Sequence, residues 1–130
     1  MIEFQVLEEP PAFVVRAVGR LTDADLLGFV AQAQQDPNAA WKHALYDFSA
    51  VDEISGLSLQ AVRQLGRMRS CDPEASRQQR VAIVVRGTGL YGMARILQTL
   101  MGGRLPHLRV FRDLSDAWAH LGIDERPAEA

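Results

Sequence analysis

The stretch Trp41-Lys42-His43-Ala44-Leu45-Tyr46-Asp47-Phe48-Ser49-Ala50-Val51-Asp52-Glu53-Ile54-Ser55-Gly56-Leu57 decides the fold. Ala44 to Phe48 is a short apolar run and predicts a strand. The polar residues from Ser49 to Gly56 predict a turn, and the small Ser55-Gly56 pair launches a helix near Leu57 or Ser58. Strand, turn and helix in that order form the layout of a switch point, where open α/β sheets place their sites. The helix buries Ala61, Val62, Leu65 and Met68 at helical spacing and turns Gln60, Arg63, Gln64 and Arg67 outward.

Towards the N-terminus, Ile2, Phe4 and Val6 alternate with Glu3, Gln5 and Leu7, the period of a half-buried strand. Glu8-Glu9-Pro10-Pro11 breaks it, and Phe13 to Val18 resumes β-type residues, so the two runs form an antiparallel hairpin at a sheet edge. Gly19-Arg20-Leu21 closes the second strand. Thr22-Asp23-Ala24-Asp25 then resembles a capping box, in which Thr22 accepts from an amide three residues on while Asp25 reaches back. Leu26, Val30 and Ala33 follow at helical spacing, widened by Leu27 and Phe29, until Asp36-Pro37-Asn38 ends the helix.

On the C-terminal side, Ser70-Cys71-Asp72-Pro73 stops the second helix and a polar connection runs through Gln79. Val81-Ala82-Ile83-Val84-Val85 is unbroken apolar sequence, the mark of a strand covered on both faces. Gly87-Thr88-Gly89 turns into a third helix from about Leu90 to Met101, which Gly102-Gly103 caps. Arg109-Val110-Phe111 is a short last strand. Asp113 or Ser115 caps a final helix carrying Ala117, Trp118 and Leu121, with Gly122 as its stop. The order ββαβαβαβα predicts an α/β domain with one mixed, mostly parallel, five-stranded sheet and about four helices. That domain spans residues 1–123, and residues 124–130, polar and holding Pro127, form a flexible tail.

At 130 residues the chain is long enough for one real core, and its 48% apolar and 23% charged residues are those of an ordinary globular domain. With a formal net charge of −2, nothing in the bulk electrostatics calls for nucleic acid or an anionic membrane, and no nucleic-acid partner is expected. No apolar run approaches the roughly 20 residues of a membrane span. The start lacks a basic region followed by an apolar one, and the single Cys71 has no disulfide partner, so a cytoplasmic protein is expected. His43, His107 and His120 lie far apart without metal-ligand spacing, and no metal is expected. Arg63, Arg67 and Arg69 form a modest basic cluster read as a solvated helix face. Cys71 beside Arg69 has no nucleophile arrangement around it.

Two motifs invite chemistry. Gly87-Thr88-Gly89-Leu90-Tyr91-Gly92 is a G-x-G-x-x-G between strand and helix, with Asp113 following the next strand. Such glycines let a pyrophosphate approach a helix N-terminus. The motif falls on the fourth strand, however, which leaves no room for a nucleotide-binding half, and the alternative is a turn that needs glycine dihedrals. The second is Ser55, which a helix start also accounts for as a simple cap. Asp47 ends its strand, where it serves either as a site residue or as a cap for the following turn. No catalytic set emerges.

Asp47-Phe48-Ser49-Ala50-Val51, Ile54-Ser55-Gly56-Leu57, Gly19-Arg20-Leu21-Thr22, Arg80-Val81-Ala82-Ile83-Val84, Tyr91-Gly92-Met93-Ala94-Arg95 and Val110-Phe111-Arg112-Asp113 together resemble small bacterial STAS-like domains, the anti-sigma-factor antagonists. The likeness covers most of residues 2–123. It implies a STAS-like fold, no enzyme activity, and a protein partner. In that family a serine in Asp-Ser-Ser-Gly-Leu at this helix start is phosphorylated, and the resemblance offers Ser55, with Ser49 and Asp47 in the same stretch, as phosphoacceptor or switch residues. Ile54-Ser55-Gly56-Leu57 departs from the pattern by lacking the Asp and one Ser.

The third helix is apolar beyond one face. Leu90, Met93, Ala94, Leu97 and Met101 make a stripe, yet Tyr91, Ile96 and Leu100 lie off it and Arg95 and Gln98 sit beside it. An excess of this kind is either deep burial or a binding surface. Tyr91, Met93, Arg95, Ile96 and Leu100 are therefore the expected partner or ligand surface. Three readings follow. The leading one is a non-enzymatic, STAS-like regulatory or protein-interaction domain, switched at the loop from Ser49 to Leu57 and free of cofactors. Its partner is another protein or a second copy in a homodimer. The second is a small protein that binds a lipid or apolar ligand, and the third is a nucleotide binder using Gly87 to Gly92.

Overall fold

Two strands open the chain: β1 (Ile2–Glu8) and β2 (Pro11–Arg20) pair antiparallel, with Phe4 opposite Val15 and Glu8 opposite Pro11. Three more strands, β3 (His43–Glu53), β4 (Arg80–Val84) and β5 (His107–Phe111), add in parallel, each beside its predecessor, so the sheet order is β1-β2-β3-β4-β5. The helices are α1 (Asp23–Gln34), α2 (Leu59–Arg67), α3 (Pro73–Gln78), α4 (Thr88–Leu100) and α5 (Leu114–Leu121). The computed structural model describes residues 2–8, 11–35, 42–67 and 73–122. The expectations for Trp41, Met68, Arg69, Cys71 and the 124–130 tail lie outside those residues.

The topology follows from handedness. Parallel strands that step always the same way through right-handed crossovers keep their connecting helices on one side of the sheet. Phe13, Val15 and Ala17 of β2, Ala44 and Phe48 of β3, and Val81, Ile83 and Val85 point to that side. There they pack with Phe29 of α1, Leu57, and Leu90 and Ala94 of α4. After β5, the last strand among the described residues, α5 folds back across the opposite face. Its Ala117, Trp118 and Leu121 cover Ala12, Val14, Leu45, Ala82 and Val84. β4 is thus buried on both faces, as its unbroken apolar sequence predicts.

Four expectations change. Among the described strands the order never reverses, so they form no topological switch point and no crevice of the kind that accompanies one. The described residues form five helices instead of about four: α3 occupies the polar connection, too short at six residues to display a period. β3 continues through Glu53, so Ser49 to Glu53 are strand and not turn. Gly102-Gly103 does not cap α4, whose C-cap is Met101. Positive φ occurs only at Gly19, beside the register shifts of β2, and at Gly122, the stop of α5, among the described glycines.

Candidate functional site

The connection from β3 to α2 shrinks to residues 54–58, and it is held from one side by the start of α1. Leu21 donates its N–H to the Glu53 carbonyl at 3.0 Å, and Asp23 does the same to Gly56 at 3.0 Å. The Asp23 carboxylate accepts the Ser58 N–H at 2.7 Å and the Ser58 hydroxyl at 2.7 Å. Asp23 is free for this because the expected capping box forms without it: Thr22 donates to the Asp25 carboxylate at 3.0 Å, and the Asp25 N–H donates to Thr22 Oγ1 at 3.3 Å. Gly56 lies against Thr22 so closely that an added methyl group would sit 3.0 Å from its Cγ2.

Ser58, not Ser55, caps α2, its Oγ accepting the Ala61 N–H at 3.2 Å. The Ser-Leu-Gln-Ala spacing carries that signal, and the Ser55-Gly56 pair distracts from it. The long-range tie to Asp23 has no trace in the sequence. Ser55 is exposed at the tip of the turn, where its hydroxyl donates to the Glu53 carboxylate at 3.0 Å.

Asp47 and Ser49 form a separate group. Asp47 points to the α5 face of the sheet and is buried. Its Oδ1 accepts the Ser49 N–H at 3.1 Å and the Ser49 hydroxyl at 2.6 Å, while Oδ2 accepts from Arg16 Nε at 3.1 Å. Glu3 extends the row across β1, 4.0 Å from Arg16. The serines and aspartate expected to share one loop are therefore divided between a charged row on the sheet and an exposed turn.

Beyond the sheet, the apolar residues of α4 divide between the core and the surface. Leu90 and Ala94 are buried, Met93, Leu97 and Met101 half-buried, and Ile96 and Leu100 are 40% and 44% exposed. α2 lies directly beside it, since a methyl group on Gly66 would come within 2.9 Å of Leu100 Cβ. Leu59, 40% exposed at the start of α2, adds to the apolar residues on this pair of helices. At the other end, Ile54 Cδ1 would lie 3.2 Å from a methyl on Gly89, which joins the 54–58 loop to α4.

The half-buried Tyr91 is flanked by cations. The Arg112 guanidinium stacks over its ring, 4.3 Å from the centroid, and Arg95 approaches to 6.0 Å. Arg112 also donates to the Arg86 carbonyl at 3.1 Å. Arg86 and Arg112 were not legible as site residues, because only the pairing of β4 with β5 brings their strand ends together.

Gly87-Thr88-Gly89-Leu90-Tyr91-Gly92 does not use special dihedrals. Gly87 has an ordinary extended conformation, φ −72°, and neither Gly89 nor Gly92 has positive φ. Asp113, the acid that follows the glycine motif, caps α5, as its place before the helix predicts, by accepting the Ser115 N–H at 2.8 Å. With the order reversal also missing, the motif lacks the setting of a dinucleotide site.

The three histidines, distant in sequence, meet at the opposite edge of the sheet. His43 Nδ1 accepts the Arg80 N–H at 3.0 Å, and His120 Nε2 lies 2.8 Å from the His107 carbonyl. Burial lowers the pKa of both His43 and His120, with neighbouring Arg80 adding to it in each case. No cluster of His, Cys, Asp and Glu among the described residues is arranged to hold a metal, and no described helix is long and apolar enough to cross a membrane.

No protein-family model matches the chain, and no curated protein sequence matches it. Among solved structures it is similar to an uncharacterized protein of the DUF3478 family with a SpoIIAA-like fold, from Shewanella loihica PV-4. That likeness has a TM-score of 0.55 at 22% sequence identity and covers 93% of this chain and 92% of the other. At that identity the similarity speaks for architecture. The hairpin, the three parallel strands added in order and α5 on the far face make the fold SpoIIAA-like, which is the STAS-like architecture that the sequence resembles.

Proposed function

We propose that the chain is a non-enzymatic, cytoplasmic interaction domain that meets a protein partner through residues 54–58 and the outer surface of α4. One observation carries the reading: a loop held in one shape by Asp23 abuts a helix that leaves Ile96 and Leu100 exposed. Large apolar side chains grouped on the surface of a small domain are characteristic of contact sites. The fold adds support, since the sequence motifs resemble antagonist domains whose work is to bind another protein.

Ser55 is the switch in this reading. Its hydroxyl is exposed and already spans to Glu53. A phosphate there would put up to about two negative charges beside that carboxylate, break the Ser55–Glu53 bond and reshape the turn. Photo-crosslinking in cells from Ile96→benzoylphenylalanine tests both parts. A discrete crosslinked protein is expected, retained with Ser55→Ala and lost with Ser55→Asp. Equal crosslinking in all three backgrounds defeats the switch, and the absence of any crosslinked protein, a second copy of the chain included, defeats the interaction reading.

A further inference from the structure

We infer that the arginines around Tyr91 form a docking patch for an acidic protein segment, one that places Asp or Glu carboxylates next to an apolar side chain. This deepens the interaction reading and rests on it, by naming what the partner carries.

The chain has 16 acidic and 14 basic residues, so its cations have enough carboxylates to pair with. Yet Arg86, Arg95 and Arg112 are all exposed, and none of them pairs with a carboxylate among the described residues. Three uncompensated guanidinium groups at the ends of β4 and β5 and on α4 are a local excess of positive charge in a molecule that is negative overall.

Two of them are already held in place. Arg112 is fixed by the Tyr91 ring at 4.3 Å and by the Arg86 carbonyl at 3.1 Å, and Arg95 reaches the Tyr91 hydroxyl at 3.5 Å. A guanidinium has five N–H donors, and each of these two groups uses one of them here. The remaining donors match the forked geometry of a carboxylate, and a group ordered beforehand loses less side-chain freedom on binding. Arg95 meets the ring because it stands one helical turn beyond Tyr91, Arg112 because β5 ends beside α4, and both guanidinium groups leave donors over. Ile96, the next residue of α4 and 40% exposed, lies about a quarter-turn round the helix from Arg95, so an apolar side chain stands on the neighbouring face. Tyrosine and arginine around an apolar contact have the composition of an interface hot spot.

A phosphate polymer fits less well. Nucleic-acid surfaces present a basic stripe in a basic domain, whereas this patch has three arginines in a chain of net charge −2 and borders Asp113.

The test is fluorescence anisotropy on the whole chain with a short labelled peptide of Glu, Asp and Leu. Its Gln/Asn counterpart and a single-stranded oligonucleotide of equal charge serve as competitors for the same reading. The acidic peptide should bind the native protein and weaken with salt, and the neutral peptide should not bind. Replacing all three arginines (Arg86→Gln, Arg95→Gln, Arg112→Gln) should raise Kd by at least about tenfold, that is by about 1.4 kcal/mol, while an unchanged circular-dichroism melt shows that the variant folds. Equal affinity for native and triple variant, or tighter binding of the oligonucleotide, overturns the proposal. Mapping the protein crosslinked from Ile96→benzoylphenylalanine separates the two levels. A contacting segment without acids overturns the acidic partner and leaves the interaction reading intact, whereas no crosslinked protein removes both.

Discussion

Asp47 sits where β4 leaves the side of β3, opposite Val84 in the last pair of that ladder. Beyond it β3 continues to Glu53 alongside β2, so polar groups near this corner need partners that β4 no longer supplies. One carboxylate meets the need by accepting from Ser49 twice and from Arg16 once. A buried charge is tolerable only when it is paired in this way, and deleting one partner strands the others. Asp47→Ala takes the acceptor from both Ser49 donors and leaves the Arg16 guanidinium with Glu3 at 4.0 Å. The expected cost is about 3 kcal/mol, at the low end for a broken buried pair because Arg16 is partly solvated. Ser49→Ala removes a single hydroxyl and should cost about 1 kcal/mol. Urea-unfolding midpoints decide the matter: if Asp47→Ala costs no more than Ser49→Ala, the corner is not organised by the carboxylate.

At the scale of elements, packing and propensity can be set against each other with two glycines. Gly28 lies in α1, exposed, with open space where a methyl would go; Gly66 lies in α2, where that methyl would meet Leu100 Cβ at 2.9 Å. Helix propensity favours alanine over glycine by about 1 kcal/mol at either position. Gly28→Ala should therefore raise stability by up to that amount. Gly66→Ala should not, because the clash involves a Cβ that cannot rotate away, and forcing helices apart costs about 1–3 kcal/mol. A thermal melt in which Gly66→Ala gains as much as Gly28→Ala would mean that α2 and α4 are not in close contact. The two cases also mark what a sequence can convey. The β1–β2 hairpin, the unbroken β4 run, the Thr22–Asp25 box and the caps at Asp113 and Gly122 follow local patterns, and each was legible. The Asp23–Ser58 tie spans 35 positions, and the meeting of Arg112 with Tyr91 depends on where α4 lies relative to the end of β5. Nothing in the spacing of residues encodes such pairings. The extension of β3 was missed because Ser49, Asp52 and Glu53 look like turn residues, whereas pairing with β2 overrides that preference.

Over the whole molecule the parallel strands give the domain two unlike ends. The candidate surface gathers where β4 and β5 finish, at Arg86 and Arg112, and the histidines gather where β3, β4 and β5 begin. At that starting edge His43 of β3 faces Arg80 of β4, and His120 of α5 lies over His107 of β5 with Arg80 and Arg109 near it. For Nδ1 of His43 to accept the Arg80 N–H, the ring must be neutral with its proton on Nε2, and a second proton abolishes the bond. Burial, with Arg80 and His120 as lesser causes, places the His43 pKa below its ordinary 6.5. For His120, burial also comes first, opposed by the hydrogen bond to His107 and reinforced by Arg109, Arg80 and His107. Between the folded and unfolded pKa values the unfolded chain binds more protons, so stability rises with pH there. The histidine contribution is therefore complete above about 6.5, the unfolded value, and is lost as pH falls below it. Urea midpoints should drop from pH 7 to pH 5, at or above the range where ordinary carboxylates titrate, and the drop should shrink in His43→Gln and shrink further in His43→Gln/His120→Gln. A drop of equal size in all three proteins would assign the acid sensitivity to other groups. Loss of these bonds would loosen the edge where α5 is tied to the sheet through Arg80, while the Asp23–Ser58 tie and the stacked Arg112 lie at the other end. Acid should consequently weaken the fold before it alters the shape of the 54–58 loop, and a partner that docks there should still be bound at pH 6 by whatever fraction remains folded.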